Sequence, residues 1–415
     1  MRTIVILWAV ALSASIASAG DNWPQFRGPS GDGHSDAVGL PLQWSETQNV
    51  RWKTPIHGRG WSSPVVWGDQ VWMTTATEDG REMFVVCVDL ATGKILHDIR
   101  LFADVVVTQE MNPLNTFASP TPSIEQGRVY AHFGTYGTAC LDTASGRVLW
   151  VRRDIHCDHY RGPGSSPILF RDLLIFPMDG IDVEYVIALD KHSGATRWKV
   201  DRSLDFTDMI PDLRKAYSTP LIAQVGGSLQ MLSTGAKCTY AYDPATGKEL
   251  WRVRYEGFSN ASCPLFGQGL AYINTGFGKA ELWAVRPDGR GDVTDTHVVW
   301  RLVKAVPAKP SPLLIGDLIF MVDDAGVASC VEAKTGEIVW QKRIGGQYSA
   351  SPIFADGRIY CFSHENQTTV FAPRREFQQL AVNELDDGFM ASPAVIGNAL
   401  ILRSKTHLYR IEEGR

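Results

Sequence analysis

Short apolar stretches separated by glycine- and aspartate-rich turns recur from residue 61 to the C-terminus, at a period of about 40–50 residues. Each repeat opens with a small residue and proline: Ser63-Pro64, Ser119-Pro120, Ser166-Pro167, Thr219-Pro220, Cys263-Pro264, Ser311-Pro312, Ser351-Pro352 and Ser392-Pro393. An apolar run and a turn come next, then a second β-type run such as residues 70–74 or 358–362. A third run leads into Asp-x-x-Thr/Ser-Gly, clearest where Asp89, Asp142, Asp190 and Asp243 precede Gly93, Gly146, Gly194 and Gly247. The sixth repeat keeps Thr335-Gly336 with Glu332 in the acidic place, and fourth runs carry Trp150, Trp198, Trp251, Trp300 and Trp340. The pattern predicts four strands per repeat. Proline, which cannot donate to a ladder, suits a strand start. Aspartate accepts backbone N–H bonds within the turn, and glycine supplies the positive φ. Large rings on the last strand fill space between sheets. Four strands at this period make a propeller blade.

Eight starts predict eight blades, yet the last repeat reaches Arg415 without room for a fourth strand. Residues 49–55, with Trp52, are β-type and precede the first repeat. They are expected to supply the missing outer strand, closing the ring with strands from both ends of the chain. The fold class expected is all-β: an eight-bladed β-propeller of four-stranded antiparallel blades. Seven blades with the last repeat appended is the alternative, and it leaves Trp52 without a sheet. Two outer strands are degenerate: the first has His97 in the tryptophan place, and the seventh, residues 377–382, has none. In this reading residues 49–415 are the propeller. Residues 20–48 are an extension packed on it, with Trp23 and Phe26 as anchors.

The first residues differ in kind. Arg2 precedes an uncharged, largely apolar stretch over residues 4–16, and Ala17-Ser18-Ala19 forms a small-x-small cleavage site. Residues 1–19 are therefore expected to be a cleavable signal peptide, with a periplasmic or secreted mature chain. No later segment approaches the ~20 apolar residues of a membrane-spanning helix. With 40 Lys and Arg against 45 Asp and Glu, no basic face is left for a nucleic acid. The chain is expected to be a monomer. Among its seven cysteines, Cys87, Cys140 and Cys330 each stand two residues before the acidic turn residue. Ala188 and Ala241 hold that place in the third and fourth repeats. A cysteine that alternates with alanine reads as a free, packed thiol. The pattern leaves Cys157, Cys238, Cys263 and Cys361 open.

The Asp-x-x-Thr-Gly-x-x-x-Trp repeat resembles the pyrroloquinoline quinone (PQQ) repeat. That repeat is shared by quinoprotein dehydrogenases and by the propeller lipoprotein of the outer-membrane β-barrel assembly machinery. The stretches from Trp23 to Gly33, Asp158 to Pro167 and Asp292 to Trp300 are similar to a narrower group of exported repeat proteins abundant in planctomycete-type bacteria. The resemblance implies the fold over nearly the whole mature chain. It implies little about activity, since the repeat lies in blade turns and serves packing. The dehydrogenases resemble one another in an adjacent Cys-Cys pair, a carboxylate-held calcium or lanthanide, and often a C-x-x-C-H haem site. This sequence has no adjacent cysteines and no C-x-x-C-H.

In such blades the loops leading into the inner strands and the connections between second and third strands open on one face, where binding residues concentrate. The candidate ligand-binding residues there are Arg59, Trp61, Phe117, His156, Asp158, His159, Arg161, Arg214, Tyr217, Lys309, Tyr348 and Phe389. The aromatics precede the repeat prolines by three or four residues, a spacing suited to a funnel at the channel mouth. Stacking faces mixed with cations fit an anionic, planar or sugar-like ligand; the alternative is rings packed on neighbouring loops. His156-Cys157-Asp158-His159 offers metal-type side chains but no second cluster to complete a site. Arg161 and the Pro163-Gly164 turn directly after it suit a loop pinned by hydrogen bonds. Asp323-Asp324 and Asp386-Asp387 read as solvated turn residues.

These features point to a binding or scaffold module for a protein or glycan partner, with no catalysis and no cofactor assigned. The alternative is a PQQ-dependent alcohol or sugar dehydrogenase with calcium. There Trp61 or Tyr217 would stack on the quinone, Arg161 or Lys309 would pair with its carboxylates, and Asp158 or Asp182 would act as metal ligand or base.

Overall fold

The computed structural model describes residues 22–108 and 110–414, so the expected signal peptide lies outside the described residues. Eight sheets surround a channel, each built in the order inner, second, third and outer strand. The first blade is Val65–Trp67, Gln70–Ala76, Met83–Asp89 and Ile95–Phe102. The last is Ala394–Ile396, Ala399–Arg403 and His407–Ile411, with Val50–Pro55 as its outer strand. Lys53 pairs with Tyr409 and Thr54 with Leu408 in that ladder, so the ring has eight blades, not seven.

The residue before the repeat proline links blades at six places. The Ser63 N–H donates to Thr121 Oγ1 at 2.9 Å, Thr121 to Ser166 Oγ at 2.9 Å, and Ser166 to Thr219 Oγ1 at 3.0 Å. Cys263, Ser311 and Ser351 donate in the same way to Ser311, Ser351 and Ser392. A hydroxyl at this place takes up the N–H of the preceding blade, which would otherwise be buried without a partner. This corrects the second repeat: Thr121-Pro122 opens its inner strand, Ser123–Glu125, and Ser119 instead donates to Asn115 Oδ1 at 2.5 Å.

Most of the outer-strand tryptophans dock on the turn of the following blade. The indole N–H groups of Trp52, Trp150 and Trp300 donate to the carbonyls of Leu90, Lys191 and Ala333 at 2.9–3.0 Å. The turn glycine lies flat beneath the ring. A Cβ on Gly93, at φ 73°, would stand 2.7 Å from the Trp52 indole. Asp89 Oδ1 holds that turn by accepting from the Thr92 N–H and hydroxyl at 2.7 and 2.6 Å. Across the ladder, Trp150 faces Cys140, Trp198 faces Ala188, and Trp340 faces Cys330. A ring this large needs a small neighbour, which is why cysteine and alanine interchange. Cys87, Cys140 and Cys330 are buried free thiols.

Three blades depart from the repeat. In the first, His97 stacks on Trp72 with centroids 5.6 Å apart. In the seventh, Ala381 occupies the tryptophan register opposite Val370. Trp44 of the extension fills that space, stacked on Tyr360 at 6.2 Å and held by Asn383 Oδ1 on its backbone N–H. The fourth gains a fifth strand that the repeat pattern did not predict. Gly291–Asp292 runs parallel beside Trp251 and Arg252, and the Trp251 N–H turns back to Gln230 within its own blade.

The extension crosses the channel mouth on the face of the two-residue turns. Trp23 exchanges two 2.8 Å backbone bonds with Val66, and Gly33 and Ser35 bond to Phe354. Arg27 reaches inward, fully buried, to the carbonyls of Ser311 and Pro312. Trp23 is buried and Phe26 half-buried.

Candidate functional site

With one mouth crossed by the extension, the opposite face carries the remaining long loops. The stretch from His156 to Arg161 is the most heavily tied of them. The Asp158 N–H donates to Asp182 Oδ1 at 2.7 Å, and Asp158 Oδ1 accepts from the Tyr160 N–H at 2.8 Å, with Tyr160 at φ 64°. The Tyr185 and Tyr217 hydroxyls donate to the carbonyls of His156 and His159 at 3.0 and 3.1 Å. Asn115 adds bonds to the carbonyls of Arg161 and Pro163, joining this loop to the one leading into blade 2. The loop is pinned by hydrogen bonds. Among the described residues no group of three or more His, Cys, Asp or Glu is placed to hold a metal.

His159 is buried against Gly134, its Nδ1 3.6 Å from Cys157 Sγ and its Nε2 without a hydrogen-bond partner. Burial pulls its pKa down to about 4 and that of neighbouring His132 to about 3. Burial pushes the Cys157 thiol up. These are neutral packing groups, unsuited to proton transfer near neutrality.

The twelve candidates separate into two sets. His156, Asp158, His159, Arg161, Arg214 and Tyr217 share one sector over blades 2 to 4. Arg59 joins it through a 2.7 Å bond to the Pro113 carbonyl, and its guanidinium lies 5.2 Å from the Trp61 ring. Arg59 and Phe117 also line a cleft of about 220 Å³ with Glu78, Met111 and Asn112. Lys309, Tyr348 and Phe389 lie apart, on blades 6 to 8. The expected aromatic funnel does not form, because Phe117, Tyr348 and Phe389 are all buried. Phe117 packs on Tyr136 and Phe389 on Phe362. The acidic pairs are turn residues in part contact with solvent. Asp323 Oδ1 holds its turn by accepting from the Ala325 and Val327 N–H groups, Asp324 accepts from the Ala308 N–H and pairs with Lys309, and the largely exposed Asp386 pairs with Lys53.

Residues outside the twelve extend this sector, with Lys215 buried within it and paired with Asp212. Lys215 Nζ lies 4.7 Å from the Tyr160 ring and 5.4 Å from the Phe258 ring, and Lys237 Nζ lies 5.7 Å from Phe258. The Arg161 guanidinium sits 4.6 Å from the same Tyr160 ring. Phe277 meets Phe258 edge-on at 5.7 Å and is 61% exposed. Gly257-Phe258 and Gly276-Phe277 were legible as loop aromatics that the repeat does not require, and that was the signal available.

A quinone with calcium makes definite demands: cations free for its carboxylates, an open ring face and spare oxygens. Arg161 is paired with Glu110, Lys309 with Asp324, and Arg214 with Glu184. Arg59 occupies a face of Trp61, and Oδ1 of both Asp158 and Asp182 is engaged by backbone N–H groups. The residues present do not fit that group.

Fold and surface together define an eight-bladed propeller of PQQ-type repeats with one built loop face. Residues 45–184 and 182–413 match the family described as outer membrane protein assembly factor BamB, and the chain belongs to that family. One curated relative, outer membrane protein assembly factor BamB of Moranella endobia, is 25% identical over 190 residues. That match covers 43% of this chain and 47% of the relative, about half its length. Among solved structures, BamB from Moraxella catarrhalis superposes with a TM-score of 0.60 at 15% identity, over 87% of this chain and 99% of that one. Quinohemoprotein alcohol dehydrogenase from Comamonas testosteroni superposes at 0.68 with 10% identity, over 97% and 82%. At these identities the structural likeness speaks for the fold alone.

Proposed function

We propose that this chain is an exported binding propeller that docks a protein partner on the loop face over blades 2 to 5. The observation that supports it is the run of ring-and-cation contacts from Arg161 and Tyr160 through Lys215 to Phe258 and Lys237. Aromatic and arginine side chains flanked by exposed apolar groups are the usual makings of an interface centre. Val106, Ile210, Phe277 and Val303 are each more than half exposed, and all four stand on loops of this face. The family's name as an assembly factor favours a protein over a glycan. Export rests on Arg2, residues 4–16 and Ala17-Ser18-Ala19; N-terminal sequencing of the mature protein should begin at Gly20.

The test is site-specific photocrosslinking in the native host at Phe277 and Tyr160, with Val38 on the opposite face as control. A discrete protein adduct should form at the first two positions only. It should disappear in Ile210→Asp with Phe258→Ala, whose melting temperature checks folding. Adducts at Val38 alone, or saturable glycan binding that blocks the adduct, would overturn the reading. The dehydrogenase alternative has the fold behind it but no residue set. Dye reduction by alcohol or sugar after reconstitution with PQQ and calcium would establish it instead.

A further inference from the structure

The inner strand of every blade turns one edge toward the channel, and the chain's own extension shows how that edge is used. In each two-residue hairpin the last pair is hydrogen-bonded and the pair before it is not, so the earlier residue points its N–H and C=O into the channel. Val66 and Phe354 are such residues, paired with Val71 and Ile359. The extension takes both: Trp23 bonds to Val66 in both directions, and Gly33 and Ser35 bond to Phe354. Phe266 holds the same register in blade 5, opposite Ala271. In blade 4, whose inner strand is two residues longer, Gln224 holds it, and Ile222, opposite Met231, is the next residue back that turns its backbone the same way. The channel-side backbone groups of Ile222 and Phe266 have no partner among the described residues.

These two edges border a pocket of about 220 Å³ between the extension and the inner strands. Leu221, Leu265, Phe266 and Leu314 form one apolar side of it, and Ser30, Asp32 and His34 of the extension with Gln224 form a polar rim. We infer that this pocket binds an extended peptide segment by strand addition. The peptide backbone pairs with Ile222 or Phe266, and a branched apolar side chain packs against the apolar side. Strand addition draws affinity from main-chain bonds and selectivity from a pocket for alternate side chains, and both parts are present. The site continues the contacts already made by the extension, and it lies on the face opposite the proposed partner surface.

The test uses the full mature protein and a fluorescein-labelled Thr-Val-Leu-Val-Thr peptide, read by anisotropy. Saturable binding is expected. A peptide N-methylated at alternate residues, which cannot complete the ladder, should bind at least tenfold more weakly. Ser30→Trp should cost a similar factor by covering the rim; Ser30 is exposed, so the melting temperature should not move. Phe277 crosslinking should be indifferent to saturating peptide. Absence of saturation, equal binding of the N-methylated peptide, or full binding to Ser30→Trp would each overturn the site. Equal binding of the N-methylated form would identify a plain hydrophobic cleft.

Discussion

The indole N–H of Trp52 donates to the carbonyl of Leu90 at 2.9 Å. This bond joins the strand that completes the last blade to the turn of the first. Trp52→Ala should lower stability by about 3 kcal/mol, the low end for removing a large ring from a packed site, since Trp52 is half-buried. Trp52→Phe keeps most of the packing and should lose about 1 kcal/mol with the hydrogen bond. Urea midpoints measure both. Equal losses would mean that the bond, not the ring, holds the closure.

Ala381 and Trp44 form a second testable pair, because one fills the space the other's register leaves. Ala381→Trp alone should destabilise by about 1–3 kcal/mol through overpacking. With Trp44→Ala the combined loss should fall clearly below the sum of the single losses, as expected for residues sharing one space. Strict additivity in the double-mutant cycle would show that Trp44 does not occupy the missing ring's site.

Between blades 3 and 4, Arg202 grips Asp179 with two bonds of 2.9 and 2.7 Å, both side chains almost wholly buried. Tyr240 and Tyr242 lie 4.9 and 5.9 Å from the guanidinium. Asp179→Ala should cost about 3–5 kcal/mol by leaving the cation unpaired. Adding Arg202→Met should recover most of that loss, because the pair's attraction largely offsets its desolvation. A double variant no better than Asp179→Ala would assign the pair a larger net role.

The two buried histidines set an acid limit. In the folded chain His159 protonates at about 4 and His132 at about 3, whereas an unfolded histidine does so near ~6.5. Below that value the unfolded chain binds more protons, so stability falls as pH drops. Each histidine contributes up to about 1.4 kcal/mol per pH unit, and for His159 the loss levels off near pH 4. His159→Phe should therefore show a shallower decline than wild type between about pH 6 and pH 4.5 in chemical denaturation. Parallel curves would mean that His159 titrates normally.

Blade number and closure were legible because each repeat carries residues with one physical task, such as Gly93 beneath Trp52 or Ser166 bonding Thr121. The register of blade 2 was not, since Ser119-Pro120 and Thr121-Pro122 look alike until the inter-blade bonds are seen. The fifth strand at Gly291–Asp292 was hidden because it replaces the turn motif rather than altering it. Of the candidate site, the sector from His156 to Tyr217 came together. The funnel failed because spacing from a proline places Tyr348 and Phe389 without revealing which way their rings turn. Whether such a ring faces solvent or packs inward depends on contacts from other blades.

Closure by Val50–Pro55 also constrains how the molecule is made. The Tyr409 hydroxyl donates to Glu46, 363 residues earlier, so the first strand waits for nearly the whole chain before it has a partner. Contacts this distant slow folding more than they weaken the finished structure. A chain arrested in synthesis or export after blade 7 would stay an open arc with bare strand edges, prone to join its neighbours. A circular permutant beginning at Ala394, with the natural ends joined, would carry the whole last blade on one continuous stretch. It should reach the same ring sooner and leave fewer aggregates on refolding.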